Sequence, residues 1–285
     1  MDGRHVIMAE VDHYEVCYTI NPWMRPEQWQ QGEGGSRAVA RRQWSALAER
    51  LRAAGMVVVT VPAAVGQPDL VFTANSAVVL DGRALPARFR HRERRGEEAH
   101  FRRFFEELVD RGLLSEVGRL PDGIFQEGAG DCIWDASRGL FWAGHGPRSS
   151  AAALSEIGAF FHREVVGLKL ATDRYYHLDT CFLPLSGGEV LYYPPAFSPA
   201  ARTAIAKRVP RDKLIAASAE EAAAFSLNAV NIGRDLIMAA PPPRLRARLE
   251  GLGYHCIPVE LSSFVLSGGA AFCMTLRLDL KGSPP

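Results

Sequence analysis

The sequence predicts an α/β fold assembled from repeated units, and three observations predict it. Short apolar runs rich in Val, Ile and Phe alternate with helical stretches along all 285 residues. Pairs of these runs flank turn-forming residues and are followed by a helix, a unit that recurs. The polar residues that lead into the pairs, Asn75, Asp131, Asp179 and Asn228, recur at about 50 residues. Such a period fits a ring of modules whose leading residues face one centre. It also fits an ordinary α+β domain whose hairpins look alike, and the period by itself leaves both open.

The elements follow in order. Residues 5–9 read as a strand and 15–20 as extended chain. Residues 36–54 read as a helix with Val39, Trp44, Leu47 and Leu51 on one stripe and Gly55 suited to its end. A buried strand at 56–61 comes next. The first hairpin joins 71–80 to 84–89 through Asp81-Gly82, a strong two-residue turn, before a helix at 97–111. The second pairs 131–134 with 140–143 and precedes a helix at 149–160. The third pairs 180–185 with 190–193 and precedes a helix at 198–208. The fourth pairs 229–232 with 236–239 and precedes a helix at 242–252. With the first strand and the closing runs 256–259 and 272–280, about five modules are counted.

Composition sets bounds. Hydrophobic residues make up 47% and charged residues 23%, with no low-complexity linker, so residues 1–285 are expected to form a single domain. A net charge of +1 gives no general pull on nucleic acid or an anionic membrane. No run approaches the roughly 20 apolar residues of a membrane span. The start, Met1-Asp2-Gly3-Arg4-His5, does not read as a secretory leader. A cytoplasmic protein is expected, with no nucleic-acid or membrane partner; a homo-oligomer stays open. Cys17, Cys132, Cys181, Cys256 and Cys273 are scattered and lack C-x-x-C spacing, which argues against a disulfide framework or a structural zinc site.

Several residues carry potential chemistry. Cys273 follows Ser267-Gly268-Gly269-Ala270-Ala271-Phe272 and opens an apolar run. Its glycines permit a sharp bend and a close ligand approach. It reads either as a core cysteine or as a nucleophile at a strand mouth. His177 lies in Tyr176-His177-Leu178-Asp179 and can exchange protons near neutrality. On a strand, Asp179 would face the same side and orient the ring or hold a cation. Glu127 and Asp131 are separated by small residues and suit a pocket turn, where carboxylates grip guanidinium through paired hydrogen bonds. Asp69, Asn75 and Asn21 lie at the edges of apolar stretches and read equally as turn residues.

Taken in order, one set of motifs resembles the guanidine-modifying (pentein) enzymes: dimethylarginine dimethylaminohydrolases, arginine deiminases, arginine dihydrolases and amidinotransferases. The set is Pro68-Asp69-x-Val71-Phe72, Arg94-Arg95-Gly96-Glu97, Glu127-Gly128-x-Gly130-Asp131, Gly146-x-Arg148-Ser149, His177-Leu178-Asp179-Thr180, Asn228 and Gly268-Gly269-x-x-x-Cys273. The Tyr18 to Pro22 and Phe72 to Asn75 segments are most similar to arginine dihydrolase-like and dimethylaminohydrolase-like chains. The resemblance implies a single-domain propeller of five ββαβ modules. It implies Cys273 as nucleophile, His177 as acid/base, and Glu127, Asp179 and Asn75 around a guanidinium. Arg94 and Arg148 match positions that hold the substrate's α-carboxylate or close over it, and Asp69, Asp131, Asn21 and Asn228 complete the expected site. The implied substrate is a small guanidino amino acid, with no metal or organic cofactor. Hydrolysis is the expected reaction, with amidino transfer to an amine or simple amino-acid binding as alternatives. Two departures stand out. One extra residue separates Glu127 from Asp131, leaving open which meets the substrate, and Asn75 replaces the Asp of deiminases and dimethylaminohydrolases.

Overall fold

In the computed structural model, which describes residues 3–32 and 36–282, the chain forms a ring of five small mixed sheets. Met1 and Asp2, on which the leader reading partly rests, lie outside the described residues. The elements in chain order are β1 (Arg4–Ala9), α1 (Pro26–Gln30), α2 (Arg37–Ala53), β2 (Met56–Val61), β3 (Ala77–Leu80), β4 (Arg83–Pro86), α3 (Glu97–Asp110) and β5 (Glu116–Val117). They continue with β6 (Cys132–Asp135), β7 (Leu140–His145), α4 (Ala153–Phe161), β8 (Glu164–Lys169), β9 (Phe182–Pro184), β10 (Val190–Tyr192), α5 (Pro199–Arg208) and β11 (Leu214–Ala216). The last are α6 (Ala219–Ala223), β12 (Val230–Ile232), β13 (Asp235–Met238), α7 (Pro243–Gly251), β14 (His255–Pro258), α8 (Ser262–Val265) and β15 (Leu276–Arg277).

Each module is an antiparallel hairpin, a helix and a third strand parallel to the hairpin's second. The fifth is shared by the two ends of the chain. C-terminal β15 pairs antiparallel with β1 (Ile7 opposite Leu276), and β1 pairs parallel with β2 across α2. The sequence pattern explains the hairpins. Asp81 and Gly82 both adopt positive φ, 53° and 75°, as a tight two-residue turn requires, and Gly139, Gly188 and Gly233 turn the other three hairpins at positive φ. Ser36 caps α2 by accepting from the Val39 N–H, and Ser198 caps α5 likewise from Ala201. Helix α3 buries Phe101, Phe104, Phe105 and Leu108 along one face, each contributing roughly 1.5–3 kcal/mol.

Residues 15–20, expected as extended chain, lie within residues 10–25, which run as irregular chain interrupted by turns. Three expectations change. The stripe on α2 is centred on Ala40, Gln43, Leu47, Ala48 and Leu51, with Trp44 only half-buried. The closing run 272–280 contributes only Leu276–Arg277 as strand, and Cys273 lies in the turn before it. His177 leads into a 3-10 turn, Leu178–Thr180, so strand alternation does not relate it to Asp179.

These turns place the site. The hairpins led by Asn75, Asp131 and Asp179 are each preceded by a 3-10 turn, at Thr73–Ser76, Gly128–Gly130 and Leu178–Thr180. The turns join around the axis: Asp131 Oδ1 accepts from the Leu178 N–H, Asn228 Nδ2 donates to the Asp179 carbonyl, and the Phe272 N–H donates to the Asn228 carbonyl. The Ala74 N–H then donates to the Cys273 carbonyl, at 3.0 Å.

Candidate active site

The polar groups of the lead-in turns converge on one buried cluster: Cys273, His177, Asp179, Glu127, Asp131, Asn75, Asp69, Asn228, Arg94 and Arg148 are all at most 3% exposed. Cys273 is held by Asn228, whose Oδ1 accepts from the Cys273 and Ala270 N–H groups at 3.1 and 3.2 Å. Asn228 Nδ2 donates to the Cys273 sulfur at 3.1 Å. The thiol in turn donates to Asp179 Oδ2 at 3.0 Å. Burial, and next the Asp179 carboxylate, push the Cys273 thiol well above its ordinary range. Burial likewise raises Asp179 to about 7, against the hydrogen bonds from Cys273 and Asn228.

His177 belongs to a second network. Its Nε2 lies 2.7 Å from Glu127 Oε2, which also accepts from Arg148 Nη1 at 2.9 Å. Glu127 Oε1 accepts from the Arg90 N–H. Burial would raise Glu127, but Arg148 and His177 outweigh it and hold the carboxyl below its usual range. On the other edge of the ring, Asn75 Nδ2 lies 3.5 Å from His177 Nδ1. Asn75 Oδ1 accepts from Arg94 Nη1 at 2.8 Å. The glycines beside Glu127 make this approach possible: a Cβ on Gly130 would sit 2.1 Å from Asn75 Nδ2, and one on Gly128 would sit 2.4 Å from the Ala74 carbonyl.

The remaining expected residues divide by what they touch. Asp131 is engaged at both oxygens, by the Leu178 N–H and by the Ser149 hydroxyl at 2.6 Å, so it anchors the His177 segment; burial raises it to about 6. Of Glu127 and Asp131, only Glu127 hydrogen-bonds the histidine. Asn21 bridges backbone, donating to the Ser267 carbonyl and accepting from the Trp23 N–H. Arg148 also donates to the Ile20 carbonyl and stacks 4.7 Å from the Tyr176 ring, so residues 10–25 close over it. Arg94 is committed to Glu97 through Nε and Nη2 at 2.8 and 2.7 Å, to Asn75 and to the Asp69 carbonyl. By contrast Asp69 Oδ1 and Asp179 Oδ1 are buried and have no hydrogen-bond partner among the described residues. Burial raises Asp69 too, although Arg94 opposes it. An unpaired buried carboxylate is costly, and a cation beside either one would lower that cost. Sequence reasoning quoted Glu97 and Ser149 within motifs but assigned them no contact. Their signal was present: Glu97 stands three residues after Arg94, a helical ion-pair spacing hidden in a mixed charge run.

The five-module ring is the fold of the solved arginine dihydrolase structures that it resembles, which places the chain among the guanidine-modifying enzymes. The sequence pattern of the family described as N,N dimethylarginine dimethylhydrolase, eukaryotic, matches residues 20–280, and the chain belongs to that family. It is 40% identical over 277 residues to the bifunctional arginine dihydrolase/ornithine cyclodeaminase ArgZ of Synechocystis, covering 97% of this chain. The chain spans only 38% of that relative's length. It is 34% identical to the N(G),N(G)-dimethylarginine dimethylaminohydrolase of Mycobacterium tuberculosis, covering 96% of this chain and 86% of the relative. Among solved structures it is similar to the N-terminal domain of ArgZ bound to product, at TM-score 0.92 and 39% identity, covering 99% of this chain and all of that one. A variant of the same domain has been seen covalently bonded to a reaction intermediate, at TM-score 0.91 and 39% identity, covering 99% of this chain and all of that one.

Proposed function

We propose that the protein hydrolyses the guanidinium group of arginine or a related guanidino amino acid through a covalent intermediate on Cys273. One observation carries the reading: the Cys273 sulfur lies 3.0 Å from Asp179, whose second oxygen is buried without a partner. A guanidinium bound there by Asp179 and Asp69 would lie beside the sulfur. Its positive charge would offset the burial and the carboxylate that hold the thiol protonated, so the substrate itself promotes the thiolate. Orientation by fixed carboxylates supplies much of the catalysis.

The thiol proton passes to His177 as the thiolate forms and adds to the guanidinium carbon. His177, kept in place by Glu127, gives a proton to the departing amine, leaving a cationic thiouronium on sulfur. His177 then takes a proton from water; the water oxygen bonds to the same carbon and the thiolate leaves. Arginine and water give citrulline and ammonia. A second round on the ureido carbon gives ornithine, carbon dioxide and another ammonia, which balances two waters per arginine. Asn75 favours the second round: an amide can both donate to and accept from a neutral ureido group, whereas a carboxylate favours the cation. A second reading, a single hydrolysis of a methylated arginine, is favoured by the family match over residues 20–280. Water is favoured over an amine acceptor because the relatives carry hydrolase names.

The test is product analysis by mass spectrometry with arginine, dimethylarginine and citrulline, for the wild type and Cys273→Ser. Ornithine from arginine, absent with Cys273→Ser, supports the reading. Citrulline from dimethylarginine with inert arginine favours the second reading. Unchanged turnover by Cys273→Ser overturns the covalent mechanism.

A further inference from the structure

We propose that Glu97 and Arg94 form a buried positioning pair that, through Asn75, fixes which ring nitrogen of His177 carries its proton. The inference rests on the acid/base role given to His177 above. The pair is nearly sealed from water, with side chains 3% and 0% exposed, and is bidentate. Buried ion pairs seldom repay the loss of hydration and are weak evidence for stability. What this pair does have is a directed contact. Glu97 takes Nε and one N–H of Nη2, the Asp69 carbonyl receives from Nη2, and Nη1 points at Asn75. The Arg94 guanidinium also lies over the Phe89 ring at 4.4 Å, which restrains its plane.

The consequence is a matter of donors and acceptors. Guanidinium only donates, so Asn75 must turn its oxygen toward Arg94. The Asn75 NH₂ then faces His177 Nδ1, 3.5 Å away. An NH₂ cannot accept, so the lone pair belongs on Nδ1 and the proton on Nε2, where Glu127 Oε2 accepts it. The groups hydrogen-bonded to the ring from both sides thus agree: Glu127 takes the proton and Asn75 excludes one, while Asp131 ties down the backbone of Leu178 behind it. Nδ1 is left as the nitrogen that takes and returns protons. Release of Arg94 from Glu97 would let the Asn75 amide rotate and the histidine proton move to the wrong nitrogen, a fault that costs heavily in other histidine-dependent enzymes.

The experiment is ¹⁵N NMR of histidine-labelled free enzyme, with the His177 signals assigned by their loss in His177→Gln among the eight histidines. Where the ring is neutral, wild type should show a single tautomer, protonated at Nε2. Glu97→Gln should show a mixture, together with a fall in kcat of at least about tenfold and a KM within about twofold. If Glu97→Gln does not fold, Asn75→Asp supplies the second reading, because a carboxylate there should draw a proton onto Nδ1. An Nε2–H tautomer unchanged in the variants, or a raised KM at constant kcat, overturns the proposal; the latter would mean that Arg94 serves the substrate carboxylate. The tautomer is read without turnover, so failure of the hydrolase reading leaves this result interpretable.

Discussion

Replacing Asp179 by Asn should move two observables in opposite directions. The carboxylate lies 3.0 Å from the Cys273 sulfur, so once both are ionised their repulsion is about 5 kcal/mol at an effective dielectric near 20. Removing that charge should make the thiolate available at lower pH, by as much as about 4 pH units in the limit and by at least about one. The new amide would also donate to the sulfur. At neutral pH the rate of iodoacetamide alkylation at Cys273 should therefore rise at least about tenfold. Cys17 is exposed and will label in every sample, so the count is made on the Cys273 peptide by mass spectrometry. Guanidinium binding should weaken. A charge-assisted hydrogen bond contributes roughly 1.5–3 kcal/mol, or about 10- to 100-fold in Kd. Titration calorimetry with arginine in a Cys273→Ser background measures it without turnover.

The pH dependence has a definite sign. Asp179 is raised from 3.8 to about 7 by burial, so the folded free enzyme holds a proton that the unfolded chain has already released. The stability associated with that proton is complete below about 4 and lost as pH rises through about 7, a change of about 4 kcal/mol. A cation beside Asp179 relieves the cost, so arginine should bind more tightly at pH 8 than at pH 6, and Asp179→Asn should reduce that difference, leaving what Asp69 contributes. Alkylation that is unchanged or slower in Asp179→Asn, or an unchanged Kd, would refute the placement of the guanidinium between Asp179 and Cys273.

Three other outcomes follow from the same geometry. His177→Ala should lower kcat on the order of 10²–10⁴-fold while melting near the wild-type temperature, because Asp131 and Thr180 secure the surrounding turn; steady-state kinetics and thermal melts check both parts. Gly130→Ala should depress kcat and cost about 1–3 kcal/mol of stability, since the new methyl would meet Asn75 Nδ2 at 2.1 Å; denaturant unfolding and rate assays read the two effects. Asn75→Asp should shift the product of arginine from ornithine toward citrulline, and citrulline as sole product of both proteins would contradict the role given to the amide.

Much of the ring was legible because its hairpins carry strong local signals. Asp81-Gly82 dictates a tight turn, and Ser36 and Ser198 announce their helices. Three of the third strands, β5, β8 and β11, were not legible. Glu116–Val117 and Leu214–Ala216 are two and three residues long and partly exposed, so neither alternation nor a long apolar run marks them; only pairing after a helix crossover makes them strands. The site residues were legible as types but not as positions. The apolar run after Phe272 reads as strand, yet Met274 N–H bonds the Ala270 carbonyl and curls the backbone, which helps turn the Cys273 sulfur toward Asp179. Likewise His177 and Asp179 share no strand face: one reaches Glu127 and the other Cys273. Glu97 was masked because an alternating charge run ordinarily means a solvated surface.

Charge balance on the axis explains why these positions can coexist in one small volume. Arg94 is neutralised by Glu97, Arg148 by Glu127, and Asp131 is satisfied by an N–H and a hydroxyl. Each of those groups is matched within the protein. Asp69 and Asp179 are not, because each keeps a buried oxygen without a donor. Burial raises both carboxyls, so each gives up its proton less readily in the free protein than a solvated carboxyl does. A planar cation with several N–H donors suits such oxygens, and an ammonium, being a point charge, suits them less well. Under the proposed reading, selectivity for guanidinium over simple amines follows from Asp69 and Asp179.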